Sequence, residues 1–166
     1  MRFALALCVV VGCALCGSAA SASARRRVTT LTGLIRGTQV LRVRMIRMLE
    51  PVATALAGAE CPAYERVGRA MRPGVSAGET WTGVAIAERR RGGLIDALTS
   101  EDRTALDGLF SQLGESGREQ QDILLTGTIS ALNRSLEAAE ARAREAEKLY
   151  LSLGVLVGLM LALIAL

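Results

Sequence analysis

The sequence predicts an all-α protein, namely an antiparallel bundle of about five or six helices flanked by N- and C-terminal transmembrane helices. Apolar residues recur at spacings of three and four, which is the period of a helix face, and strand-like alternation is scarce. Proline occurs only at positions 51, 62 and 73. The chain is 51% hydrophobic but only 3% aromatic. The aliphatic excess is concentrated at the two ends, as expected for ends that lie in lipid.

The first predicted element is a transmembrane helix over residues 3–24, which are apolar or small and are followed by the run Arg25–Arg27. Arginine stays on the cytoplasmic side, so this segment is predicted to be a signal-anchor with its N-terminus outside. A cleaved signal is the alternative, because "SASA" resembles a cleavage site and "VVGC" places Cys13 as in a lipoprotein signal. N-terminal sequencing separates the two, since a protein that begins at Met1 or Arg2 is not exported.

Residues 25–148 are predicted to form a cytoplasmic helical bundle. Its first helix is predicted over residues 28–49, where apolar residues form a seam for a partner helix. The seam consists of Leu31, Leu34, Thr38, Leu41, Met45, Met48 and Val52. Pro51 is predicted to break or redirect this helix. Residues 58–78 are predicted to form turns and a loop around a short helical piece.

Two further helices are marked by N-terminal caps. Ser76 is followed three residues later by Glu79, which is the spacing of a capping box. Thr99 or Ser100, followed by acidic residues, caps the next helix, and Gly114 is a natural stop for it. The apolar stripe of that helix is predicted at Leu106, Leu109, Phe110 and Leu113.

The clearest feature is a long helix over residues 119–150. Its apolar residues follow a four-three repeat, which predicts a seam against partner helices. These residues are Leu125, Ile129, Leu132, Leu136, Ala139, Ala143, Ala146 and Tyr150. Glu140 and Arg144 are spaced for an ion pair between neighbouring turns.

This helix is predicted to continue into a C-terminal transmembrane helix over residues 149–166, which contain no charge. At about 1.5 Å per residue the segment is about 27 Å long, close to the thickness of a hydrocarbon core. Gly154 and Gly158 form a GxxxG spacing, which predicts a close helix-packing face. Simple tolerance of glycine in membrane helices is the alternative.

Composition argues against several kinds of site. The chain has no histidine, so no Ser–His pair, no Cys–His pair and no imidazole metal ligand is possible. Cys13 and Cys16 lie in apolar sequence, which does not make a credible zinc site. Carboxylates fall at positions typical of helix surfaces and caps, and no phosphate loop or nucleophile elbow is present. The sequence therefore predicts no enzyme, no cofactor and no metal. Dispersed arginines without interleaved aromatics argue against nucleic-acid binding.

Candidate partner contacts are Trp81 and the cluster Arg89, Arg90 and Arg91. A core position is the alternative for Trp81. A solvated helix end, where cations favour the dipole, is the alternative for the three arginines. The run Arg25–Arg27 is a further candidate, with a topology anchor or a contact to anionic lipid as its alternative. No small-molecule substrate is predicted.

The ending "EKLYLSLGVLVGLMLALIAL" resembles that of the stage III sporulation protein AB family, which combines a charged helix, an "LG-L-G" core and an aliphatic run. Other stretches resemble the same family: "RRR" with the Leu-rich helix that leads to "LEPVATAL", then "ETWTGVA", then "LFSQLGESGREQQ". The length and the two-anchor layout also agree. The resemblance therefore covers most of the chain.

The resemblance implies a part of the assembly that joins mother cell and forespore in endospore-forming bacteria. It implies a position in the mother-cell membrane that faces the forespore, with the soluble domain in the mother-cell cytoplasm. That domain is expected to be similar to the cytoplasmic domains of type II secretion platform proteins. The implied function is a non-enzymatic platform that couples a cytoplasmic sporulation ATPase to other membrane components. The alternative is an exported helical coiled-coil membrane protein or lipoprotein.

Overall fold

The computed structural model describes the backbone of residues 23–90 and 93–165, and the side chains of these residues except 94 and 147–165. Every element in this part of the chain is a helix, as the sequence predicted. Helix α1 covers residues 23–42 and continues as a π-helix over Val43–Arg47. The others are α2 (Val52–Ala57), α3 (Pro62–Ala70), α4 (Ala77–Arg90), a 3-10 turn (Leu94–Ala97), α5 (Ser100–Gln112) and α6 (Arg118–Ala165).

The chain divides into two compact units. One unit is Thr29–Glu137 and contains the helical bundle. The described residues 23–28 and 138–165 belong to the other unit. In that second unit Arg144 Nη2 lies 3.1 Å from Glu140 Oε2, so the ion pair predicted between neighbouring helical turns is confirmed.

The bundle core is built first on the seam of α1. Leu31, Leu34, Thr38 and Leu41 are all buried, as their spacing predicted. Thr38 is the polar member of the seam, and its hydroxyl donates to the Leu34 carbonyl at 2.8 Å. Having one hydrogen, it then accepts from the Tyr64 hydroxyl at 2.9 Å. This hydrogen bond satisfies two buried hydroxyl groups and joins α1 to α3.

Three aromatic side chains fill the centre of the unit. Phe110 of α5 stacks on Trp81 of α4, with ring centroids 4.3 Å apart and planes 7° apart. It also meets Tyr64 of α3 edge-on at 5.4 Å. The Trp81 indole N–H donates to Asp107 Oδ1 at 2.7 Å, which satisfies the polar end of a buried ring. The aromatic cluster therefore joins α3, α4 and α5.

Helix caps appear where the sequence placed them. Thr99 caps α5 in a reciprocal capping box with Asp102, which settles the choice between Thr99 and Ser100. Ser76 Oγ accepts from the Glu79 backbone N–H at 3.2 Å ahead of α4. Pro51 stands at the N-cap of α2, so the predicted break of the first helix is confirmed. The hydroxyl groups of Thr99 and Ser76 each satisfy a backbone donor that a helix start leaves unpaired.

The end of the first helix differs from the prediction of one helix over residues 28–49. The Met48 N–H donates to the Val43 carbonyl at 3.2 Å, five residues back, which is the hydrogen bond of a π-helix. Five-residue spacing shifts every later side chain around the helix axis. Met45 is consequently only half-buried, and Met48 is exposed instead of completing the seam.

A glutamine holds the turn between α5 and α6. The Gln121 side chain is buried and accepts from the Gly114 N–H at 3.2 Å. Its amide nitrogen donates to the Gln112 carbonyl at 2.8 Å and to Ser116 Oγ at 2.7 Å. One side chain thus satisfies the last carbonyl of α5 and fixes the entry angle of α6.

We expect Gln121→Ala to lower the free energy of unfolding by about 1 kcal/mol, because it removes these hydrogen bonds from a turn that water can partly reach. The exposed neighbour Gln120 provides the control, since Gln120→Ala should change stability by less than about 0.5 kcal/mol. Urea denaturation of the two variants measures the difference. Equal stabilities would show that Gln121 does not hold the turn.

Of the helices described, none combines the length and the apolar character needed to cross a bilayer. The transmembrane helices predicted over 3–24 and 149–166 are therefore not supported. Residues 3–22 and 166 lie outside the described part of the chain. Gly154 and Gly158 lie in the helical backbone of α6, and their packing role stays a prediction.

Candidate functional site

The predicted contact residues do not share one exposed face. Trp81 is only 2% exposed and belongs to the core, which is the alternative that the sequence offered for it. Arg89 and Arg90 are exposed in the last turn of α4. Arg91 lies outside the described residues. The surface nearby also carries Ile86, which is half exposed. A contact through Arg89 and Arg90 stays a prediction.

The last turn of α4 also contains a buried carboxylate. Glu88 is almost fully buried and forms an ion pair with Arg66 of α3. A Cβ at Gly93 would lie too close to this carboxylate, so a larger residue there would require the Glu88 side chain to move. Because burial of an unpaired carboxylate is costly, Arg66 and Glu88 serve to hold α3 against α4.

No metal site is found in the part of the chain that the structure describes, where no group of three His, Cys, Asp or Glu residues could hold an ion. Cys61 is a free, buried thiol. Burial raises its pKa, which keeps the sulfur protonated and weakly nucleophilic.

A groove of about 290 Å³ lies between the end of α1 and the start of α6. We call it the π-helix groove. It is lined by Gln39, Arg42, Val43, Ile46, Arg47 and Asp122. All of these residues belong to the unit Thr29–Glu137. Five of the six come from α1 and the π-helix, so the change of helix type shapes the groove.

An ion pair forms one wall of the π-helix groove. Arg42 Nε lies 2.5 Å from Asp122 Oδ1 and Arg42 Nη2 lies 3.0 Å from Asp122 Oδ2, a two-bond arrangement that fixes both side chains. Hydrogen bonding from Arg42 lowers the pKa of the Asp122 carboxyl, with a Coulombic contribution from Arg47 and Arg118. Asp122 is therefore charged at neutral pH.

Four large apolar residues that line the groove or lie close to its lining residues in the sequence are exposed to solvent. We call these four residues, which are between 47% and 66% exposed, the apolar rim. They are Val43, Met48, Leu49 and Ile123. Scattered exposed apolar residues are normal on a protein surface, but contiguous ones mark interaction sites. Val43 begins the π-helix, Met48 and Leu49 follow directly after it, and Ile123 lies on α6 next to Asp122 in the sequence.

Leu49 also has an unusual backbone conformation, with φ at +58°. A bulky residue in the left-handed region costs about 1 kcal/mol or more. The strain is held in place by the Glu50 N–H, which donates to the Arg44 carbonyl at 3.1 Å, and by an Arg44–Glu50 ion pair at 3.0 Å. A strained leucine that is exposed to solvent, and so contributes little to the core, indicates a role at the surface.

The sequence did not reveal this surface, because the periodicity assigned Met48 to the buried seam. A signal was present nevertheless. Pro51 disfavours helical backbone at Glu50, which places the end of the helix close to Met48. The π-helix itself has no signature in the sequence.

The family model described as stage III sporulation protein AB (spore_III_AB) matches residues 2–166. The comparison with curated proteins and the comparison with solved structures gave no match.

Proposed function

The chain belongs to the stage III sporulation protein AB family and so has a role in sporulation, and on this premise we propose that it is a non-enzymatic platform. In this proposal it docks a cytoplasmic sporulation ATPase and couples it to the other components of the mother cell–forespore channel. The function is mechanical, because the bundle transmits the position or motion of the ATPase. It requires a rigid helical body and an exposed surface for the partner.

The observation that carries the proposal is the apolar rim beside the π-helix groove. The aromatic cluster packs α3, α4 and α5 against one another, which is the kind of body that the proposal requires. The rim leaves large apolar side chains in solvent where burying them would be favourable. A partner protein that covers the rim gains this energy, and the flanking charges select the partner.

We further propose that the protein is anchored in the mother-cell membrane that faces the forespore, with the bundle in the mother-cell cytoplasm. The support comes from the sequence. Residues 3–24 and 149–166 are apolar or small, and the run Arg25–Arg27 favours a cytoplasmic position for the residues that follow it. A reporter fused after Leu166 should then behave as extracytoplasmic, and a cytoplasmic readout would contradict this topology.

The platform proposal is tested by binding of the full-length chain, purified in mild detergent, to the sporulation ATPase of the same organism. We expect saturable binding with a dissociation constant on the order of micromolar, which is about 8 kcal/mol of binding free energy. An unrelated detergent-solubilised helical protein is the control. Binding no stronger than that of the control would overturn the proposal.

A further inference from the structure

We propose that the π-helix groove and its apolar rim are the docking site for an acidic amphipathic helix of the partner. Carboxylates of that helix pair with Arg47 and Arg118, and its large apolar side chains cover Met48 and Leu49. This inference rests on the proposed function, because it assigns the docking surface to one place on the bundle and gives the chemistry of what binds there.

Charge around the groove favours an acidic occupant. Asp122 is surrounded by Arg42, Arg47 and Arg118, and Arg42 alone forms its ion pair. Arg118 stands four residues before Asp122 on α6, so the two lie on the same face of that helix. Neither Arg47 nor Arg118 has an ion-pair partner among the described residues. Arg47 in the groove wall and Arg118 near Asp122 thus provide two positive charges that carboxylates of a partner can neutralise.

The apolar rim indicates that the acidic segment of the partner also carries large aliphatic side chains. Met48 and Leu49 are the most exposed large apolar residues described, at 62% and 66%. Methionine adapts its shape to different apolar partners, which suits a docking surface. Exposed apolar side chains beside cations match an amphipathic helix that lays leucines in a groove and keeps its acidic residues at the edges.

Two other occupants fit less well. A second copy of this chain, related by a two-fold axis, would place the same basic groove against itself, and like charges would face each other. An anionic bilayer surface is flat, whereas the groove is concave and has the charged Asp122 carboxylate in its wall.

Leu49→Gly separates binding from folding. Glycine adopts φ values near +58° without strain, so the substitution should leave stability unchanged or raise it slightly. It removes the most exposed member of the rim at the same time. Arg47→Glu is the second variant and reverses the charge of an exposed side chain that makes no ion pair with described residues. Ile86→Ala and Arg89→Glu make comparable changes on α4, whose exposed end is the rival contact surface, and so decide between the two surfaces.

The first measurement is binding of each full-length variant to the sporulation ATPase in mild detergent. We expect Leu49→Gly and Arg47→Glu each to weaken binding about tenfold or more, as central residues of an interface do, and the α4 variants to bind like wild type. Loss of binding only in the α4 variants would show that the partner docks on α4 and not at the π-helix groove, and it would still support the platform function. Equal binding by all variants would also overturn the proposed docking site at the groove.

A second measurement tests the groove even where the ATPase does not bind. The probe is a fluorescent synthetic helix of about four turns with leucines flanked by glutamates, compared with the same helix carrying lysines. We expect saturable binding of the acidic helix only, weakened about tenfold by Arg47→Glu. Binding of both helices, or of neither, overturns the inference. Displacement of the acidic helix by phosphatidylglycerol added to the micelles also overturns it, because the groove would then prefer lipid.

Discussion

Phe110→Ala is expected to lower the free energy of unfolding by about 3–5 kcal/mol, the range for loss of a buried aromatic ring. Phe110 is 1% exposed and contacts Trp81 and Tyr64, so one truncation removes the contact that joins three helices. The surrounding helices can close only part of the space that the ring leaves, so a cavity remains in the variant and adds to the loss of stability.

The measurement is urea denaturation followed by circular dichroism, with the fluorescence of Trp81 as a local probe. Trp81 is the only tryptophan of the chain, so its emission reports the cluster without interference. We expect a red shift in the folded Phe110→Ala protein as water reaches the indole. The control is Ile86→Ala on the exposed side of α4, with an expected change below about 0.5 kcal/mol. Similar losses in both variants would mean that Phe110 is not central to the core.

Gly68→Ala is expected to destabilise the bundle by about 1–3 kcal/mol, although alanine forms helices better than glycine. A Cβ at position 68 would lie 2.8 Å from the Ala53 carbonyl oxygen and 2.9 Å from Ala57 Cα, and closer still to the Ala57 amide nitrogen. These are backbone atoms of α2, which cannot rotate away. The added methyl group therefore forces α2 and α3 apart.

Gly127→Ala is the matched control, because the same substitution in α6 meets nothing within 4 Å. Here the helix propensity acts alone, and stability should rise by up to about 1 kcal/mol. The two variants are compared by thermal and urea denaturation. Opposite signs of the change in stability support a tight α2–α3 contact. A gain in stability in both variants would show that the contact yields without cost.

Local periodicity and capping chemistry determined much of the fold. The seam through Leu31, Leu34 and Leu41 is buried because apolar residues one helical turn apart share a face wherever the helix packs. Thr99 caps α5 because a side-chain oxygen ahead of a helix satisfies a free backbone N–H. The resemblance to the stage III sporulation protein AB family is confirmed by the match over residues 2–166. These features depend on residues that are near one another in the sequence.

Only the tertiary structure decided the candidate site. Arg42 and Asp122 are 80 residues apart, so nothing in their sequence surroundings pairs them. The π-helix over Val43–Arg47 turns Met48 outward by changing which carbonyl its N–H reaches, and periodicity assumes that this register stays constant. The sequence likewise shows Gly68 only as a weak helix former, and the structure adds that α2 lies too close for any side chain at this position. The sequence by itself determined the faces of the helices. Packing between distant segments and one shift of backbone register determined which residues remain exposed to solvent.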